Sequence, residues 1–282
     1  MFDENLITNK YLNPNEYLDS FKVDFLHAKP FPSIVIKEFF QEKFLSNVLE
    51  EFPDLEKIED SQKYKNQNEF KFASNDYDNF PSSIKKLIDF LNSEVFLNFL
   101  QKLTSIEEKL ILDNELNGGG LHEIKKGGIL KIHTDFNKHP TNNLDRRINL
   151  LLYLNKNWKD SYGGHLELWD ENMKKCFNKI KPEFNTMIIF NTNDFSNHGH
   201  PDPLKCPSNF SRKSIATYYF SNGRPKNEVN QKFIKNKTYF KSRFGHDNEV
   251  LSKNENIKNF FRKLKIYKKL KEFEKKYIRS KK

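Results

Sequence analysis

The chain has 282 residues of which only 36% are hydrophobic, but 27 Phe and 11 Tyr supply buried area, so the length reads as one large domain or one domain with extensions. The net charge of +10 is local: residues 257–282 carry twelve Lys/Arg against Glu272 and Glu274, leaving positions 1–256 formally neutral, so attraction to an anionic partner is expected of the tail and not of the body. Two cysteines exclude a disulfide framework, the first residues lack the basic and apolar regions of a secretory signal, and no apolar run approaches the roughly 18 residues of a membrane span, which together predict a soluble cytoplasmic protein with no transmembrane segment.

In chain order, residues 1–20 are polar with a turn signal at Asn13-Pro14 and read as an irregular arm. Phe31–Ile36 reads as a short strand. Glu38–Phe52 has apolar residues in helical spacing and stops before Pro53. Residues 54–80 are charged and read mostly as loop. Pro81 with Ser82 and Ser83 opens a second helix carrying Ile84, Leu87, Ile88, Phe90 and Leu91, and a third short helix covers Val95–Leu103. These helices are expected to pack on one face of a sheet. From about 118 the period changes to that of strands: Gly118–Ile124, Gly127–His133, Arg147–Leu154, Leu166–Trp169, Lys175–Ile180, Thr186–Phe190 and Ser214–Phe220. Many short strands without helical interruption predict a sandwich or jelly roll. Residues 221–256 are polar and loop-rich, and 257–280 repeat apolar residues every three or four positions, as in one amphipathic helix.

His133 and Asp135, two apart on a strand, point to one face about 7 Å apart at the backbone and can converge on one metal. A third ligand is available in His198 or, by the same parity, His200; Gly199 between them permits a tight backbone approach. Two imidazoles and one carboxylate hold a divalent metal on a single face and leave the opposite positions open, as a non-haem Fe(II) oxygenase requires. Arg212 opens an apolar strand, so its always-charged planar fork is aimed inward and suits the distal carboxylate of a co-substrate. Tyr153 ends another apolar strand and offers a hydroxyl to the same carboxylate or a locally satisfied core residue. Gly163-Gly164 reads as a tight turn aiming Leu166 and Leu168 inward and His165 and Glu167 outward.

Taken together, HTDF (133–136), RRINLLLYLNKNW (146–158), GGHLELW (163–169), HGHPDPL (198–204) and RKSIATYYF (212–220) resemble the Fe(II)/2-oxoglutarate-dependent dioxygenases, in the prolyl 4-hydroxylase-like branch. The resemblance is strong over about 117–220 and extends more weakly to KPFPSIVIKEFF and LEEFP near the start; residues 225–282 lie outside it. It implies a mainly β fold, a double-stranded β-helix packed by N-terminal helices, with a basic C-terminal helix added. The division it suggests is 1–115 as support, 116–222 as oxygenase core and 223–282 as polar loop and tail. It implies that His133, Asp135 and His198 are the catalytic iron ligands, that Arg212 and Tyr153 bind the distal carboxylate of 2-oxoglutarate, and that Arg146 sits where some members approach substrate. Fe(II), 2-oxoglutarate, O2 and, as in some relatives, ascorbate are the implied cofactors. The strand before the first ligand, tyrosine-rich in the family, here reads LHEIKK, a departure at the substrate entrance.

The activity so implied is hydroxylation of a substrate C–H bond with release of succinate and CO2, on a prolyl residue of a peptide or protein. The competing readings are the same chemistry on a small molecule, such as a free amino acid, sugar or lipid-linked precursor, and an inactive β-helix used for binding. A peptide enzyme predicts an open groove over the metal, and a small-molecule enzyme a closed pocket. The tail 257–282 is expected to dock its apolar stripe on the body or to meet an anionic partner such as RNA, the ribosome or a membrane surface.

Overall fold

The computed structural model describes residues 1–229, 237–243 and 247. The chain divides into two compact units, Met1–Lys241 and Ser242–Lys282. The amphipathic helix expected over 257–280 lies outside the described residues.

The described residues of the first unit carry four α-helices, α1 (Leu18–His27), α2 (Glu42–Glu50), α3 (Ser82–Leu91) and α4 (Glu94–Thr104). Its strands are β1 (Ser33–Lys37), β2 (Gln62–Lys65), β3 (Phe70–Ser74), β4 (Ile111–Leu112), β5 (Gly120–Ile124), β6 (Leu130–Thr134), β7 (Asp145–Tyr153), β8 (Leu166–Trp169), β9 (Cys176–Ile180), β10 (Thr186–Asn191), β11 (Asn197–His200), β12 (Arg212–Ser221) and β13 (Tyr239–Phe240). All pairings are antiparallel. The larger sheet runs β1-β10-β7-β12-β5-β3-β2 with β4 beside the far end of β12, and the smaller runs β13-β6-β11-β8-β9. This is a double-stranded β-helix with flanking helices, as expected.

The central strands of the larger sheet, β7, β10 and β12, are buried on both faces, and parity along them sorts the two. Ile148, Leu150 and Leu152 of β7 and Ile215 and Tyr219 of β12 join one core with Leu45, Val48, Leu87 and Phe96 of the helices. The alternate residues, Asn149 and Leu151 of β7 and Arg212, Ser214 and Tyr218 of β12, line a cavity facing the smaller sheet. An aliphatic run such as Leu150–Leu152 is what a doubly covered strand needs, because an unpaired polar residue on either face would lose its water.

Three segments differ from the expectation. Residues 1–20 are tied down: Ile7 bridges Phe40, and Phe2 sits among Phe39, Phe90, Phe96 and Phe99 with ring centroids 5.5–6.2 Å away. Residues 54–80 include the β2–β3 hairpin, whose lysines sit on an edge where charge is favoured and which therefore reads as loop. Residues 197–200 form β11 although none is an aliphatic strand former. No helix among the described residues is long and apolar enough to cross a membrane.

Candidate active site

His133 is the penultimate residue of β6, His198 lies in β11, and the two strands pair so that these residues are direct cross-strand partners with ring centroids 4.5 Å apart. Gly199 makes this approach possible. A Cβ built there would stand 2.7 Å from the carbonyl oxygens of both Leu130 and Lys131, closer than any side chain tolerates. Asp135 follows one residue beyond β6. One ligand atom from each of His133, Asp135 and His198 lies within 4.8 Å of the others, and all three residues are buried or nearly so. No other group of three or more His, Cys, Asp or Glu side chains among the described residues meets this geometry.

The donor chemistry fits a divalent metal. His133 Nδ1 lies 2.8 Å from the Lys131 carbonyl and His198 Nδ1 2.9 Å from the Ser196 carbonyl. Each ring donates that N–H to a main-chain oxygen and so presents the lone pair of Nε2 to the site. Those Nε2 atoms lie 3.4 and 3.3 Å from Asp135 Oδ1 and Oδ2 respectively. Burial alone would raise the Asp135 carboxyl, but Arg146 and then the imidazoles outweigh it and hold the group well below the ordinary carboxylate range. Burial, reinforced by His198, lowers His133, which favours the neutral ligand form.

Asp135 is fixed by two side chains of β7. Asn149 Nδ2 donates to Oδ2 at 2.7 Å and Arg146 Nη2 to the same oxygen at 3.1 Å, while Arg146 Nε donates to Asn149 Oδ1 at 2.8 Å. The Arg146 guanidinium is sandwiched by Tyr218 and Phe136, at 3.4 and 4.6 Å from the ring centroids. Sequence reading placed Arg146 near substrate and missed Asn149. Its signal was a lone amide in an aliphatic strand, at the parity of Leu151 and Tyr153.

Arg212 lies across the inner cavity, 5% exposed. Its Nε donates to the Gly164 carbonyl at 2.8 Å and its Nη2 to Tyr153 Oη at 3.1 Å. The Gly163-Gly164 turn thus anchors this arginine as well as opening β8. Glu167, expected to point outward, is 4% exposed because it accepts from Trp169 Nε1 and pairs with Lys179. Among the described residues no carboxylate forms an ion pair with Arg212. A buried guanidinium without a counter-charge is strongly unfavourable unless an anion joins it. Tyr153 accepts from Arg212, which leaves the phenolic hydrogen free to donate in the same direction. The pair therefore fits the distal carboxylate of 2-oxoglutarate. His200 also lines this cavity; its imidazole is held well below its ordinary value by burial and then by Arg212.

An outer cavity of about 370 Å³ opens over the triad. Its floor includes His133 and Asp135, its walls Tyr64, Lys71 and Tyr218, and its rim the exposed Gln62, Asn75 and Thr238. Tyr64 and Lys71 come from the hairpin that read as loop. His122, from the LHEIKK strand, faces both cavities. Burial, then Lys71, pushes its imidazole down to about 3.

Comparison with known proteins agrees with this geometry. Residues 119–220 match the model of the 2OG-Fe(II) oxygenase superfamily. Among solved structures, the chain is similar to a Trichoplax adhaerens prolyl hydroxylase in complex with a hypoxia inducible factor oxygen degradation domain peptide fragment, with TM-score 0.55 and 18% identity over 78% of this chain and 96% of that one. It is also similar to a Phytophthora capsici prolyl 4-hydroxylase, with TM-score 0.50 and 20% identity over 76% and 68% of the two chains. A Burkholderia pseudomallei oxidoreductase of the 2OG-Fe(II) oxygenase family gives TM-score 0.50 and 10% identity over 76% and 94%. Among curated proteins none matches the sequence. Residues 119–220 thus carry the 2OG-Fe(II) oxygenase signature, on a fold similar to that of the prolyl 4-hydroxylases. That signature is the one of dioxygenases that use Fe(II), 2-oxoglutarate and O2, and the His133–Asp135–His198 group has the donors such a metal needs.

Proposed function

We propose that this chain hydroxylates a prolyl residue of a peptide or protein, with residues 116–222 as the oxygenase core and 1–115 as its support. The observation that carries the reading is the outer cavity: its floor includes His133 and Asp135 of the triad, and its rim is exposed, so an extended segment has room to lie over the metal. The aromatic rings of Tyr64, Phe136, Tyr218 and Phe240 around it suit a pyrrolidine ring flanked by main chain. That the Trichoplax enzyme holds a peptide fragment supports the same choice.

In this reading His133, Asp135 and His198 hold Fe(II), which when bound supplies the site where O2 is reduced as 2-oxoglutarate is oxidatively decarboxylated, one oxygen atom going to succinate and one to the substrate C–H bond. The chain's own work is positional. The Lys131 and Ser196 carbonyls fix the two ligand tautomers, and Asn149 with Arg146 fixes the carboxylate. Arg212 and Tyr153 seat the distal carboxylate, and Ile124, Leu151 and Leu166 keep water from the inner cavity. A cytoplasmic, reducing setting belongs to the same proposal and is supported by the free thiols of Cys176 and Cys206. So do ascorbate as accessory reductant, carried over from the family, and an anionic partner for the tail, which rests on the charge of residues 257–282.

The deciding experiment measures succinate formed from 2-oxoglutarate with Fe(II) and O2, in wild type, His133→Ala and Arg212→Ala, with a panel of proline peptides. Turnover that is lost in both variants and stimulated by a peptide establishes the reading. Turnover that no peptide stimulates transfers the assignment to a small-molecule substrate.

A further inference from the structure

His200 is 2% exposed, and neither of its ring nitrogens has a hydrogen-bond partner. A buried imidazole always presents at least one N–H, and leaving that donor unmatched is costly, so a partner from outside the chain is called for. The ring lines the inner cavity together with Arg212 and Ser214. Its place on β11 gives the direction. His198 and His200 are two apart on one strand and face the same cavity, so the ring stands one pleat repeat, about 7 Å, along the strand from the metal-facing imidazole. β11 runs antiparallel to β8 with Gly199 opposite Glu167, so that displacement leads toward the Gly164 carbonyl that anchors Arg212, a residue itself buried without a counter-charge among the described residues.

We propose that His200 is a third binding residue for the distal carboxylate of 2-oxoglutarate, donating a ring N–H to it beside Arg212 and Tyr153. The inference rests on the reading of this cavity as the 2-oxoglutarate site. It gives one dicarboxylate end three converging donors: a guanidinium fork, a phenol and an imidazole. It also accounts for a histidine in β11 that neither belongs to the metal-binding group nor has a hydrogen-bond partner for either ring nitrogen.

The test is anaerobic calorimetry on the full-length Fe(II)-loaded protein, titrated with 2-oxoglutarate and separately with oxalate, which chelates the metal but has no distal carboxylate. His200→Ala is expected to weaken 2-oxoglutarate about tenfold or more, the usual scale for a charge-assisted hydrogen bond, and to leave oxalate unchanged. His200→Asn, which keeps a donor in a smaller side chain, is expected to recover part of the loss and serves as the second variant if the alanine protein fails to fold. Unchanged 2-oxoglutarate affinity in both variants, or an equal loss for oxalate, overturns the inference while leaving the site reading intact. If wild type does not bind 2-oxoglutarate, or Arg212→Ala binds it as well as wild type, the site reading falls and this inference with it.

Discussion

Asn149 of β7 and Asp135, the residue that follows β6 of the opposite sheet, meet through a 2.7 Å hydrogen bond, with Arg146 joined to both. The amide holds the carboxylate at a fixed angle to the two imidazoles, so it acts on the metal site without touching it. Asn149→Ala removes that donor and also unpairs Arg146 Nε. Fe(II) affinity is expected to fall about 10- to 100-fold, the usual cost of losing a residue that orients a ligand. Competition against a chromophoric chelator measures this, and unchanged affinity would make Asn149 a packing residue only.

Arg212→Lys keeps the charge but not the fork. A lysine ammonium is a point charge and cannot hold the Gly164 carbonyl, Tyr153 and a carboxylate in one plane. The expected result is about a tenfold or greater rise in the Kd for 2-oxoglutarate with Fe(II) affinity unchanged. Tyr153→Phe, which removes a neutral donor, is expected to raise it by a smaller factor, about fivefold. Equal effects on metal binding would show that these residues support the sheet and do not bind the co-substrate.

Gly199→Ala tests the strand approach that brings the imidazoles together. The added methyl meets two main-chain oxygens at 2.7 Å, and neither can rotate away. β11 must move off β6, at a cost of about 1–3 kcal/mol by analogy with overpacked cores. The same movement separates His198 from His133, so metal affinity falls together with the melting temperature. A variant that melts lower but binds Fe(II) normally would show that the pairing sets stability alone.

The metal-free protein is expected to lose stability in mild acid through His122. Its folded-state imidazole is pushed down to about 3, below the ordinary unfolded value near 6.5. Between those values the unfolded chain binds the proton and the folded chain does not, so stability falls as pH drops from about 6.5 toward 3 and is fully present above 6.5. One such group contributes at most about 1.4 kcal/mol per pH unit. Thermal unfolding of wild type and His122→Asn at pH 7.5 and pH 5.5 checks this; a variant with the same acid sensitivity as wild type would remove His122 from the account.

What the sequence revealed and what it concealed have physical causes. β7 and β10 were legible because a strand covered on both faces must be aliphatic, and α2, α3 and α4 because each buries one stripe against the sheet. α1 was not, because only Leu18 and Phe25 of its ten residues are buried and its period is weak. The β2–β3 hairpin was hidden by lysines that suit an edge. β11 was hidden because its residues answer to other demands than strand propensity: His198, Gly199 and His200 line the inner cavity and Asn197 ties the turn after β8, so the local rule fails beside the site. The triad, Arg212 and Tyr153 were recognisable as residue types in a plausible order. The amide of Asn149 and the lone ring of His200 were not, because a partner, or the lack of one, exists only in three dimensions.

The pairing of β1 with β10 carries a consequence for synthesis. Ser33–Lys37 hydrogen-bonds to Thr186–Phe190, about 150 residues later. As the chain emerges from the ribosome, β1 waits as an exposed aliphatic ribbon until β10 has been made, and β10 in turn needs β7 beside it. Such distant pairings slow folding and leave strand edges open to other nascent chains. The helices α2, α3 and α4, translated in that interval, are built from local contacts and are available to cover the ribbon's inner face first. A chaperone that engages the nascent protein should therefore find its target between the completion of β1 and the arrival of β10, and release it once residue 191 has cleared the exit tunnel.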